Sequence, residues 1–162
     1  MIDPIRRSVA VRCSVEAAFR VFTTDMSSWW PLDVHSRAAD EREGVRSNVK
    51  AERVVLEPWV GGRLFEVMSD GNEGSWGTVL AWEPPHRLTI AWKPNDNPNP
   101  ATELEVKFIE RDGGGTRVEL EHRGWERLGD LARESREAYM GGWPRTFDVL
   151  FAEAANAEGE EG

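Results

Sequence analysis

"TELEVKFIERDGGGTRVELEHR", residues 102–123, alternates with a period of two on both sides of one glycine-rich break. Thr102, Leu104, Val106 and Phe108 fall on one parity, and Glu103, Glu105 and Lys107 on the other. After the break, Thr116, Val118, Leu120 and His122 share a face opposite Arg117, Glu119, Glu121 and Arg123. Each run predicts a strand with one covered and one wet face. The break is too short for a helical crossover, so the two strands must run antiparallel.

The same punctuation extends towards the N-terminus. "VKAERVVLE", "RLFEVMS", "SWGTVLAWE" and "RLTIAWK" end at PWVGG, DGNEG, PPH and PNDNPNP, and each break carries residues suited to tight turns. With the first pair, these give a six-stranded meander. A further strand is expected at "IRRSVAVRC", where Ile5, Val9, Val11 and Cys13 share a parity.

"SVEAAFRVF" then predicts a helix capped by Ser14, with Val15, Ala18, Phe19 and Phe22 at helical spacing. A second short helical turn, capped by Asp25 or Ser27, carries Trp29 and stops before Pro31. The adjacent Trp29 and Trp30 stand about 100° apart on such a turn, so they cannot share one task. Trp30 is expected at a cavity and Trp29 as a core plug. Residues 33–48 are polar and charged and read as a long loop.

The apolar sheet face needs a cover, and the segment from Leu128 to about Ala155 supplies one. Its stripe is Leu128, Leu131, Tyr139, Trp143, Phe147, Leu150 and Phe151. Gly141, Gly142 and Pro144 predict a kink or break within it. The class is therefore α+β, with a single domain over residues 1–155 and an acidic disordered tail at 156–162.

The chain of 162 residues has a formal net charge of −9, against a nucleic-acid partner or an anionic membrane. Cys13 is the sole cysteine, which excludes an internal disulfide and a multi-cysteine zinc site. The start has no apolar leader core and no run is long enough to span a membrane, so a cytoplasmic location is expected.

"VEAAFRVFTTDMSSWWP", "LEPWVGGRLFEV", "WGTVLAWEPPHRLTIAWKP", "GGGTRVELEHRGWE" and "GGWPRTFDVLF" together resemble the SRPBCC (START/birch-pollen-allergen-like) superfamily. Within it they are similar to the branch named for the activator of the heat shock protein 90 ATPase. The likeness spans about residues 5–155. It implies a helix-grip fold, in which a curved antiparallel sheet of six to seven strands wraps a long C-terminal helix. It also implies a deep cavity between sheet and helix for a hydrophobic or amphipathic small molecule, without naming that molecule. The resemblance also implies a further N-terminal domain in the eukaryotic co-chaperones of the branch; this sequence begins directly with its first expected strand, so a chaperone-activating role is the less expected one.

Candidate cavity residues are Trp30, Glu66, Trp76, Trp92, His122 and Trp143. His122 shares parity with Leu120 and Val118. Glu66 shares parity with Leu64 and Met68, and faces the cavity only if that face is the inner one; the alternative puts Phe65 and Val67 inside. Trp76, Leu80 and Trp82 share a parity, as do Leu88, Ile90 and Trp92. Ordinary core packing competes with ligand contact at each tryptophan, and a backbone or water partner at His122.

His35, His86 and Cys13 match no metal-ligand spacing. "GGGT" lies in a hairpin rather than before a helix, and no Gly-x-Ser-x-Gly elbow occurs. No metal, cofactor or catalytic residue is therefore implied. The expectation is a binding domain, monomeric or homodimeric, rather than an enzyme. One alternative is an enzyme of cyclase or hydrolase type using His122 with Glu66. Another is a module acting on a chaperone partner, for which the 33–48 loop is the candidate docking surface.

Overall fold

The break at 111–115 closes the hairpin that its flanks predict: Phe108 pairs with Val118, and Leu104 with His122. A computed structural model describes residues 2–39, 49–95 and 97–161 of the chain. The strands are β1 (Ile5–Val11), β2 (Ala51–Leu56), β3 (Arg63–Met68), β4 (Glu73–Glu83), β5 (Arg87–Trp92), β6 (Thr102–Glu110) and β7 (Thr116–Arg123). They form one antiparallel sheet in the order β1-β7-β6-β5-β4-β3-β2. The meander thus runs from β2 to β7, and the first strand closes the far edge beside β7. All six expected meander strands are present. The sheet curls around the C-terminal helical run, which is the helix-grip arrangement.

Helix α1 (Val15–Phe22) begins where Ser14 accepts the Ala17 N–H at 3.2 Å. Its Ala18, Phe19 and Phe22 are buried. The second short helix is a single 3-10 turn, Met26–Ser28, and Trp29 ends it. The C-terminal run opens with a 3-10 segment, Trp125–Leu131, broken at Gly129 with φ 57°. It continues as α2 (Ala132–Trp143), a π-helical stretch Pro144–Phe151, and α3 (Ala152–Glu161). Pro144 donates no N–H, so the ladder must shift register there, and a wider turn takes up the difference. The kink or break expected at Gly141–Pro144 is instead a change of helix type: Trp143 and Pro144 both keep helical backbone angles and the run continues through them. Residues 156–161 continue the last helix, and Glu158 pairs with Arg20 at 2.8 Å.

The core separates into two aromatic halves. At one end Phe22 packs on Trp29, Phe108, Phe147 and Phe151, with centroid distances of 5.3–6.4 Å. At the other end lie Trp30, Trp76, Trp92, Trp143, Trp125, Tyr139 and His122. Of the helical stripe, Phe147 and Phe151 are fully buried, while Leu131 departs from it and is 41% exposed.

Strict parity fails on β4. Leu64 pairs with Gly77 but Phe65 with Ser75, leaving Trp76 as an extra residue aimed inward. A second irregularity falls between Val79 and Ala81, so Leu80 turns out to 47% exposure. Trp76, Val79 and Trp82 form the inner row instead, Trp82 packing on Phe19 at 5.0 Å. Between the bulges, Gly77 lets β5 approach closely, since a Cβ there would run into the carbonyl oxygen of Ala91. Backbone cannot yield as a side chain does. Gly77→Ala is expected to lower stability by at least about 2 kcal/mol, readable as a fall in Tm of about 5 °C or more. An unchanged melting curve would contradict the close approach.

Candidate functional site

Four of the eight tryptophans meet at one place. Trp30 follows the 3-10 turn, Trp76 sits at the β4 bulge, Trp92 ends β5, and Trp143 ends α2. Their rings lie 5.2–6.0 Å apart, centroid to centroid, from Trp30–Trp76 to Trp92–Trp143. They wall a partly open cavity of about 240 Å³ between the sheet and α2. The remaining wall is His35, Ser36, Pro94, Ala138, Tyr139, Gly142 and Thr146. Trp29 faces the phenylalanine half of the core, where its Nε1–H donates to the Val21 carbonyl at 2.7 Å.

Each indole N–H of the wall is already engaged within the protein. Trp30 donates to the His35 carbonyl at 2.7 Å, and Trp92 to the Tyr139 hydroxyl at 2.8 Å. Trp76 donates to the Glu66 carboxylate at 2.6 Å, and Trp143 to His122 Nδ1 at 3.2 Å. Buried donors require partners, and here the partners also fix each ring's tilt. A molecule in the cavity meets indole faces and no free indole N–H.

Glu66 and His122, both candidates from sequence, stand behind this wall rather than in it. Glu66 does face inward with Leu64 and Met68 and is fully buried. Its Oε1 also accepts the Arg37 N–H at 2.6 Å, and its Oε2 the Ala38 N–H at 3.0 Å. Those amides open a helical turn capped by Ser36, whose hydroxyl accepts the Ala39 N–H at 3.0 Å. The carboxylate therefore ties the chain around 36–39 to the sheet. Residues 40–48 of the expected 33–48 loop lie outside the described residues.

His122 is fully buried, its Nε2 2.8 Å from Thr102 Oγ1. The Trp143 indole can only donate, so Nδ1 must accept and Nε2 carries the proton. Thr102 in turn donates to the Trp92 carbonyl at 3.2 Å. Burial holds the imidazole down to about 3, well below the usual histidine range. His122 is thus a neutral strut, and it and Glu66 serve separate partners rather than each other. Among the described residues no three His, Cys, Asp or Glu side chains gather as a metal site.

His35, Tyr139, Gly142 and Thr146 were absent from the sequence-derived candidates. Tyr139, Gly142, Trp143 and Thr146 follow the i, i+3, i+4, i+7 spacing of one helix face, which a cavity-directed reading of the stripe includes. His35 lies in a polar loop and carries no periodic signal. No helix among the described residues is long and apolar enough to cross a membrane.

Two results are expected from the struts. Glu66→Gln puts an amide N–H against a backbone or indole donor, costing about 1–3 kcal/mol. Amide exchange at Arg37 and Ala38 should accelerate, and unchanged protection would remove the tether. For His122, the unfolded chain takes up a proton near about 6.5 and the folded one only near about 3. Stability present above that upper value is therefore lost as the pH falls between the two, by about 1.4 kcal/mol per pH unit. In urea unfolding from pH 6 to 4.5, the wild type should lose that much more than His122→Gln. Parallel curves would show that His122 is not held neutral.

Residues 12–155 match the family of activator of Hsp90 ATPase homolog 1-like proteins. The chain is 38% identical to a solved anthrahydroquino-gamma-pyrone synthase, Txn09, over 94% of this chain and 96% of that one, with a TM-score of 0.62. It is 27% identical to CalC, a self-sacrificing resistance protein from Micromonospora echinospora, over 98% and 97% of the two chains, with a TM-score of 0.70. It shares the fold of the Aha1 dimer from Colwellia psychrerythraea at 15% identity, over 97% and 98%, with a TM-score of 0.62. No curated protein matches the chain.

Proposed function

The chain belongs to the activator of Hsp90 ATPase homolog 1-like family, and within it we propose that this member binds a planar aromatic small molecule between sheet and helix. The observation that carries this reading is the wall of four indoles, each with its N–H satisfied inside the protein. Such a wall offers ring faces, held in place before any ligand arrives. Flat aromatic rings match it by stacking and edge contacts, worth about 0.5–1.5 kcal/mol per pair beyond area burial. The volume of about 240 Å³ suits a compact ligand, or one end of a larger molecule projecting through the open side. The synthase relative adds support, because its name denotes a fused aromatic product bearing oxygen.

A second reading, an enzyme of the synthase type, is favoured by the 38% identity to that relative. It does not rest on His122 with Glu66, since both are committed behind the wall. A chaperone role has the family's name behind it, since the likeness to the Aha1 dimer at 15% identity carries the fold alone.

Gly142 offers the cleanest test. A Cβ there would touch the His35 ring alone, at 3.6 Å, so a larger side chain enters the cavity without striking backbone. Leucine also favours a helix over glycine by up to about 1 kcal/mol. Gly142→Leu is expected to keep or raise the Tm and to weaken binding of a tricyclic quinone by about tenfold or more, measured by tryptophan quenching. Full binding by this variant would place the ligand elsewhere.

A further inference from the structure

An indole wall with no free N–H can hold an aromatic ring but cannot select its substituents. Selection must come from polar atoms that reach the cavity with bonding capacity left. Ser36 already caps the turn at Ala39, and Tyr139 accepts from Trp92. Two groups remain. The Thr146 side chain is buried against the cavity, and its hydroxyl makes no hydrogen bond to a described residue. The His35 imidazole lies in the wall and likewise bonds to no described residue.

The position of His35 is built rather than incidental. Its N–H bonds the Pro31 carbonyl at 2.9 Å, and its own carbonyl receives the Trp30 indole at 2.7 Å. These fix the backbone on both sides of the residue. Its ring then lies over Gly142, with Nε2 3.6 Å from where a Cβ would stand. Gly142 and Thr146 are four residues apart on the cavity face of the helical run. The imidazole therefore stands in van der Waals reach of the missing side chain's place, beside the helix face that carries Thr146.

We infer that His35 and Thr146 form a polar reading pair for an oxygen substituent of the bound ring, selecting hydroxylated aryl compounds, phenols above all, over their unsubstituted parents. This rests on the aromatic-ligand reading above. A phenol O–H can donate to a free imidazole nitrogen while its oxygen accepts from the threonine hydroxyl. A parent ring lacking the oxygen leaves the buried Thr146 hydroxyl unpaired against an apolar surface and gives the solvent-exposed His35 imidazole nothing to bind, which disfavours it.

The test compares 2-hydroxyanthraquinone with anthraquinone by quenching of tryptophan fluorescence, in the wild type, His35→Phe, Thr146→Val and the double variant. The wild type should bind the hydroxylated probe about tenfold more tightly, the scale of one to two neutral hydrogen bonds. The ratio of the two affinities should fall in each single variant and approach unity in the double one. If both probes bind and the wild type shows no preference, or the double variant keeps it, the reading pair is wrong while the aromatic cavity stands. A merely structural role lowers both affinities and leaves the ratio intact, which equally overturns the pair. If neither quinone binds the wild type, the aromatic-ligand reading falls and takes the pair with it.

Discussion

A buried indole must place its one N–H, and four of them around one cavity must each find a different acceptor. That constraint organises this end of the molecule. The acceptors come from four separate places: a loop carbonyl at His35, a carboxylate on β3, a ring nitrogen on β7 and a phenol on α2. Sheet, loop and helix are thereby joined through the wall of the cavity itself. The site is not a hollow left by loose packing; its lining is the point at which the elements are fastened.

This changes the meaning of the two buried ionisable groups. A carboxylate and an imidazole beside a cavity ordinarily suggest acid–base chemistry. Here Glu66 has three N–H donors around it, and His122 sits in a directed chain from Trp143 through Thr102 to the Trp92 carbonyl. Fully satisfied networks of this kind rigidify what they touch. Their hydrogen-bonding capacity goes to orienting their neighbours.

Much of the fold was legible because its signals are local. The parity of 102–123 gave the hairpin, turn residues marked every strand end, and Ser14 announced its own cap. Trp76, Trp92 and Trp143 stood out by size and by their position on apolar patterns, and Trp30 by standing next to a second tryptophan whose task had to differ. What escaped depends on long-range pairing. The orientation of Glu66 rests on amides at Arg37 and Ala38, 29 and 28 residues away. Leu80 and Trp82, one parity in the sequence, part company at a bulge that only the neighbouring strand reveals. His35 sits in a polar stretch without period, and its place over Gly142 follows from contacts that no spacing rule contains.

The closeness of the four indoles has an optical consequence. With centroids 5.2–6.0 Å apart, their transitions couple, so light absorbed by one ring is shared among its neighbours before it is emitted. A molecule entering the cavity would meet several coupled rings together, so its arrival would be readable in the ultraviolet spectrum without any added label.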